Sequence, residues 1–285
     1  MNTLKIRRKK RTEVINVPVQ NLADVDLYYE IRGEGYPLLM IMGLGATIDW
    51  WHPRFIEQLE KNFKLIIFDN RDAGRSGKAK NSYQIKDFAS DSNGLLAKLE
   101  IKKSHVLGIS MGGMIAQELA IQYPERVNKL VLVSTSPGSS KSIFPSQEVI
   151  STLSKDRKDV PVEKLIDDFI SLLYTDEFLQ DNADSMQDIK QRMMKHLIDP
   201  IAYQRQLTAI LNHNALSRLE NLKIPTLVLH GKQDILMPPG NAELIADAIP
   251  NTKLKYYKGA GHALLSHEPL STGKEVVSFL QLEKT

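Results

Sequence analysis

No cysteine occurs in the chain. That absence excludes disulfides, thiolate-bound metals and a cysteine nucleophile. Any nucleophile must come from another side chain. No apolar run reaches the ~18 residues that a membrane-spanning helix needs, so no stable membrane insertion is expected. The N-terminus lacks the apolar segment of a secretory signal, and the expected compartment is the cytoplasm. Acidic residues are missing from the first eleven positions, where Lys5, Arg7, Arg8, Lys9, Lys10 and Arg11 cluster. Without those six charges the formal net charge of +3 becomes 3 − 6 = −3. Residues 1–12 read as a solvated basic extension, and no nucleic-acid partner is expected. The rest, in a chain 42% hydrophobic and 25% charged, has the make-up of an ordinary globular protein.

The remaining pattern alternates strands and helices. Residues 13–20 and 25–32 show strand-like alternation, and Gly33, Gly35 and Pro37 break them from the next run. The continuously apolar run at 38–42 reads as a strand buried on both faces, 65–68 and 104–109 as further buried strands, and 127–133, 224–230 and 253–257 as strands. Helical spacing marks 49–61, 85–99, 111–123, 241–249 and 268–282. Such alternation implies a mostly parallel sheet flanked by helices, an α/β architecture. Residues 136–215 depart from it. They hold helical patterns, such as 162–173 and 186–197, and no buried strand. This segment reads as a helical lid inserted into a core formed by 13–135 and 216–285.

The candidate nucleophile is Ser110, within Gly108-Ile109-Ser110-Met111-Gly112. A serine where a strand turns sharply into a helix is held out above the sheet on a strained backbone. Glycines two residues to either side suit a turn too tight for a Cβ. A serine between two glycines is also a common accident, so the reading rests on its partners. A serine hydroxyl needs a base. His262, in Gly259-Ala260-Gly261-His262, follows a strand and is the best candidate. His105, His196, His213 and His230 fall within expected strands or lid helices; His52 opens a helix, and His267 starts the last one. Asp234 directly follows the strand ending at His230 and would orient the imidazole. The position after Val133 offers Ser134-Thr135-Ser136 and no carboxylate. Acyl transfer further needs two oxyanion donors. The Met111 amide is one. Leu44 is the natural second, since Gly43 and Gly45 let its backbone approach a substrate.

Together these segments resemble the α/β-hydrolase fold family, in its esterase, lipase and lactonase branch. The order Ser110, Asp234, His262 matches that family's order of nucleophile, acid and base. Residues 69–76 resemble its Asp-x-Arg-Gly-x-Gly-x-Ser loop, and Leu229-His230-Gly231 with Asp234 and Pro238 resembles its acid segment. Two positions depart. Met42-Gly43 stands where the family commonly has His-Gly. Asp72 replaces a glycine, and Arg71 and Asp72 are read as structural ion-pair residues. The resemblance implies hydrolysis of a small-molecule ester through an acyl-enzyme, without metal or organic cofactor. Lactonase, carbon–carbon hydrolase and perhydrolase chemistry use the same residues, and a non-catalytic receptor shares the fold. Among apolar lid positions, Phe169, Leu172, Leu173, Met193, Met194 and Leu197 are expected to supply some walls of the substrate site. Gly43, Trp51 and Met193 are the expected substrate contacts.

Overall fold

The computed structural model describes residues 15–18 and 25–281. The basic segment 1–12, most of the strand expected over 13–20 and position 282 of the closing helix lie outside the described residues. Among the described residues eight strands form one sheet: β1 (Ile15–Pro18), β2 (Tyr28–Arg32), β3 (Tyr36–Ile41), β4 (Phe63–Phe68), β5 (Ser104–Ile109), β6 (Val127–Val133), β7 (Thr226–Gly231) and β8 (Thr252–Tyr257). Their order is β1-β2-β4-β3-β5-β6-β7-β8. The pairings of β1 with β2 and of β2 with β4 are antiparallel, and all others are parallel.

The central parallel strands are mostly apolar on both faces because helices cover both. Leu39, Ile41, Val106, Leu130 and Leu132 face one apolar cluster. Leu38, Met40, Leu107, Val131 and Val133 face the other. The first is closed by α2 (Ile85–Lys98), α3 (Met111–Gln122) and residues of the α9 turn (Leu216–Leu219) and α10 (Gly240–Ala248). The second is closed by α1 (Pro53–Leu59), α11 (Leu264–His267) and α12 (Pro269–Gln281). Burying each such side chain contributes roughly 1.5–3 kcal/mol, so these two layers dominate the stability. No helix among the described residues is long and apolar enough to cross a membrane.

The connection from β6 to β7 carries α4 (Gln147–Ser154), α5 (Val162–Leu173), α6 (Asp176–Asp181), α7 (Ala183–Met194) and α8 (Pro200–Leu211). Ile166, Phe169, Ile170, Leu173, Met186, Ile189 and Met193 pack there into a third apolar cluster. Met194 and Leu197, expected among the apolar wall positions, are 39% and 48% exposed. The helix expected over 186–197 is shifted to Ala183–Met194, so Leu197 lies beyond it.

Several boundaries differ from expectation for local reasons. The helix expected over 49–61 begins only at Pro53. Proline disfavours helical backbone at the residue before it, so His52 is extended and caps α1, its ring accepting the Arg54 amide. Residues Ile48–Trp50 form a 3-10 turn instead. The closing helix expected over 268–282 is described from Pro269 to Gln281, and His267 ends the separate short α11 rather than starting the last helix. His196 and His213 lie just past α7 and α8, not inside them.

Arg71 and Asp72 do enter ion pairs. Arg71 meets the buried Asp91 through two hydrogen bonds of 2.6 and 2.7 Å. Asp72 has φ of 68°, which explains why a residue tolerant of left-handed backbone replaces glycine there. Its carboxylate accepts two bonds from Arg205 of α8, at 2.8 and 2.9 Å, with the Tyr83 hydroxyl and Ala79 amide. This clamp ties the inserted helices to the core. Burial pulls the Asp72 carboxyl upward, but Arg205, Tyr83 and Ala79 outweigh it and hold it below the ordinary carboxylate value. A depressed folded value adds stability above the unfolded pKa near ~4 and loses it as pH falls through the folded one. Asp72→Ala is therefore expected to lower stability by about 2 kcal/mol at pH 7. The gap to wild type should shrink below about pH 4. Urea midpoints across that range check it; a gap independent of pH would show that the charge is not what stabilises.

Candidate active site

In the sheet, strand order reverses between β3 and β5: β4 lies beyond β3, and β6 to β8 lie beyond β5. Connections leave in opposite directions there, and a crevice opens at the strands' carboxyl ends. The segment 42–45 leaves β3 at that point, and Ser110 follows β5.

Ser110 has φ of 56° and ψ of −124°, a conformation costly for a residue with a Cβ. It is held from all sides. Its amide donates to the Val133 carbonyl at 3.0 Å. Its own carbonyl accepts the Gly113 amide at 2.9 Å and the Thr135 hydroxyl at 2.7 Å. A Cβ at Gly108 would strike the Gly112 carbonyl, one at Gly112 the Ile41 carbonyl, and one at Gly113 the Thr135 side chain. The glycines thus let α3 start directly on β5 and β3.

Asp234 lies in the turn after β7, 3% exposed. Oδ1 accepts the amides of Leu236 and Met237 at 3.0 and 2.8 Å. Oδ2 lies 2.8 Å from His262 Nδ1 and 3.2 Å from His230 Nε2. Burial pulls this carboxyl upward, but His262 and His230 outweigh it and hold it well below the usual carboxylate range. With Nδ1 donating to the carboxylate, His262 Nε2 is free to accept a proton. Ser110 and His262 line one cavity. No hydrogen bond joins them among the described residues; catalytic contacts in ligand-free sites are often long and tighten on binding.

His230, read from the sequence as a strand residue, meets the same carboxylate. It is fully buried, and Nε2 also lies 2.8 Å from the Met237 carbonyl. Both neighbours of Nε2 are acceptors, which assigns the proton to Nε2. Hints in the sequence are its spacing four residues before Asp234 and its place in Leu229-His230-Gly231, which resembles the family's acid segment.

The amides of Leu44 and Met111 have no acceptor among the described residues. Gly43 is so near the serine that a Cβ there would lie 3.1 Å from Ser110 Cβ. The Leu44 loop is held by a residue the sequence did not reveal. Gln206 of α8, completely buried, accepts the Gly45 amide at 2.8 Å and donates to the Arg71 carbonyl at 2.9 Å. Asn70 adds a bond to the Met42 carbonyl at 2.9 Å. These support the loop where the family's usual histidine is absent.

The cavity measures about 120 Å³. Leu44, Trp51, Phe169, Leu173 and Met193 are among its apolar walls, with Gly43 beside the serine. Leu172 is buried in the α5 cluster but does not line it. Among the described residues no group of three or more His, Asp or Glu side chains could hold a metal ion.

Compared with known proteins, residues 36–269 match a family model described as the alpha/beta hydrolase fold. The chain is 28% identical over 256 residues to a candidate carbamate hydrolase of Azorhizobium caulinodans, covering 89% of this chain and 94% of that one. It is 31% identical over 249 residues to the poly(3-hydroxyalkanoate) depolymerase of Ectopseudomonas oleovorans, covering 87% and 85%. The enol-lactonase of Burkholderia xenovorans LB400 shares the fold with a TM-score of 0.81 at 22% identity, covering 91% and 98%.

Proposed function

Because the chain belongs to the alpha/beta hydrolase fold family, we propose that it is a serine hydrolase of small-to-medium, moderately hydrophobic carboxylic esters. The observation that carries this reading is the 2.8 Å bond from His262 Nδ1 to the buried Asp234, on a cavity that also holds the strained Ser110. In the proposed reaction Ser110 Oγ attacks the acyl carbon and its proton passes to His262 Nε2. The tetrahedral oxyanion takes hydrogen bonds from the Leu44 and Met111 amides, each such donor being worth ~10²–10³ in turnover. Collapse breaks the ester C–O bond, and His262 returns the proton to the departing alcohol. Water, deprotonated by His262, then releases the carboxylic acid and restores the serine.

The relatives' named substrates, a carbamate and a hydroxyalkanoate polyester, share an acyl carbon open to this attack. The small apolar cavity favours a compact ester over a polymer. Labelling by a fluorophosphonate, followed by turnover of 4-nitrophenyl esters from acetate to octanoate, tests the proposal. Labelling without turnover would favour a receptor.

Met193 of α7 and Trp51 supply proposed acyl contacts. Met193→Trp should fill the wall, and one methylene in an apolar pocket already changes discrimination by ~10-fold or more. The ratio of kcat/KM for hexanoate over acetate should fall by about tenfold. An unchanged ratio would place the acyl group elsewhere.

A further inference from the structure

The cavity's hydrogen-bonding groups are unbalanced. No Asp, Glu, Asn or Gln lines it, yet several donors do. Arg192 of α7 lines it, half-buried, and its guanidinium makes no hydrogen bond or ion pair among the described residues. Asp49, in the 3-10 turn that α7 packs against, is already committed to Arg75 and Lys195.

Three further residues that carry donors share this lining. His52 accepts the Arg54 amide at Nδ1, at 3.2 Å. Burial first, then Arg192 and Arg54, push its pKa down against the pull of Glu57. The ring is therefore neutral, with its proton on Nε2. The indole N–H groups of Trp50 and Trp51 are buried without an acceptor, although Trp51 is only 4% exposed. The hydroxyls of Tyr174 and Ser266, which could act either way, lie beside each other.

A buried donor left unmade costs about 1–3 kcal/mol, and a cation against apolar walls needs a counter-charge more than it needs a dipole. A neutral acyl chain offers neither. We propose that Arg192, with the donors of His52, Trp50 and Trp51, binds a carboxylate on the substrate, so that the ester or lactone hydrolysed is a monoanion. The inference rests on the acyl-transfer reading of Ser110, and it names the substrate class. The apolar walls then hold the stretch between the carboxylate and the scissile bond. Arginine suits this task because its planar fork matches a carboxylate with two parallel bonds.

The chain carries its own reporter, since Trp50 and Trp51 are its only two tryptophans. In a Ser110→Ala background, which prevents turnover, indole fluorescence is titrated with monomethyl glutarate and with its neutral amide, methyl 4-carbamoylbutanoate. The monoanion should bind about tenfold tighter or more. Adding Arg192→Gln should bring the two ligands within about twofold, and Arg192→Lys should keep part of the preference. Equal affinities, no binding of either ligand, or a preference that survives Arg192→Gln would overturn the proposal. Wild-type labelling of Ser110 by a fluorophosphonate, which needs no anionic substrate, is scored separately. Its absence would defeat the acyl-transfer reading, whereas the monoanion preference is decided by fluorescence alone.

Discussion

Ser110→Ala is expected to abolish ester turnover and fluorophosphonate labelling while leaving the fold intact. Removing the nucleophile of such a constellation commonly costs ~10⁶ in turnover. The fold should survive because the turn is held by main-chain groups. The Ser110 amide and carbonyl bond to Val133, Gly113 and Thr135, and none of these contacts uses the hydroxyl. Alanine at a φ of 56° also carries a Cβ, as serine does, so the strain changes little. Steady-state kinetics and urea denaturation of the same sample check both halves. Wild-type turnover in a folded Ser110→Ala protein would remove Ser110 from the mechanism.

Asp234→Asn should lower turnover by about 10⁴. The carboxylate receives donors on both oxygens: the Leu236 and Met237 amides on one side, His262 and His230 on the other. Asparagine has one acceptor oxygen for these two sets. If that oxygen keeps the turn amides, the NH₂ group faces His262 Nδ1. The imidazole must then accept there and carry its proton on Nε2, which can no longer take one from Ser110. If the amide flips, the turn that places residue 234 loses its two bonds. Either orientation predicts a loss of kcat, measured with 4-nitrophenyl butyrate. The second also predicts a lower urea midpoint. Unchanged kinetics across pH 5–8 would mean that another acid orients His262.

Much of this arrangement was legible before any fold was known, because it is local. Glycines at 108 and 112 mark the only backbone that fits between β5 and α3. Apolar runs such as 104–109 mark strands covered on both faces, and the order Ser110, Asp234, His262 matched a known family. One boundary differed where proline acts over one or two residues, at Pro53, against a helical pattern that ran through it.

What stayed hidden depends on pairs distant in the chain. Gln206 reaches Gly45 across 161 positions, and Arg205 reaches Asp72 across 133. On their own helix both look like solvent-facing polar residues. His230 looked like one more strand residue, and only the turn of the chain after Gly231 brings Asp234 back beneath its ring. The sequence by itself therefore determined the layered sheet, the strained serine turn and the residue types fit for acyl transfer, since sterics and hydrophobic period act between near neighbours. Only the tertiary structure decided which polar groups meet: what fastens the loop at residues 43–45, what clamps α8 to the core, and that Arg192 lines an apolar cavity with no side-chain partner among the described residues. Those pairings are set by how the connection from β6 to β7 packs over the sheet, and no local pattern encodes that packing.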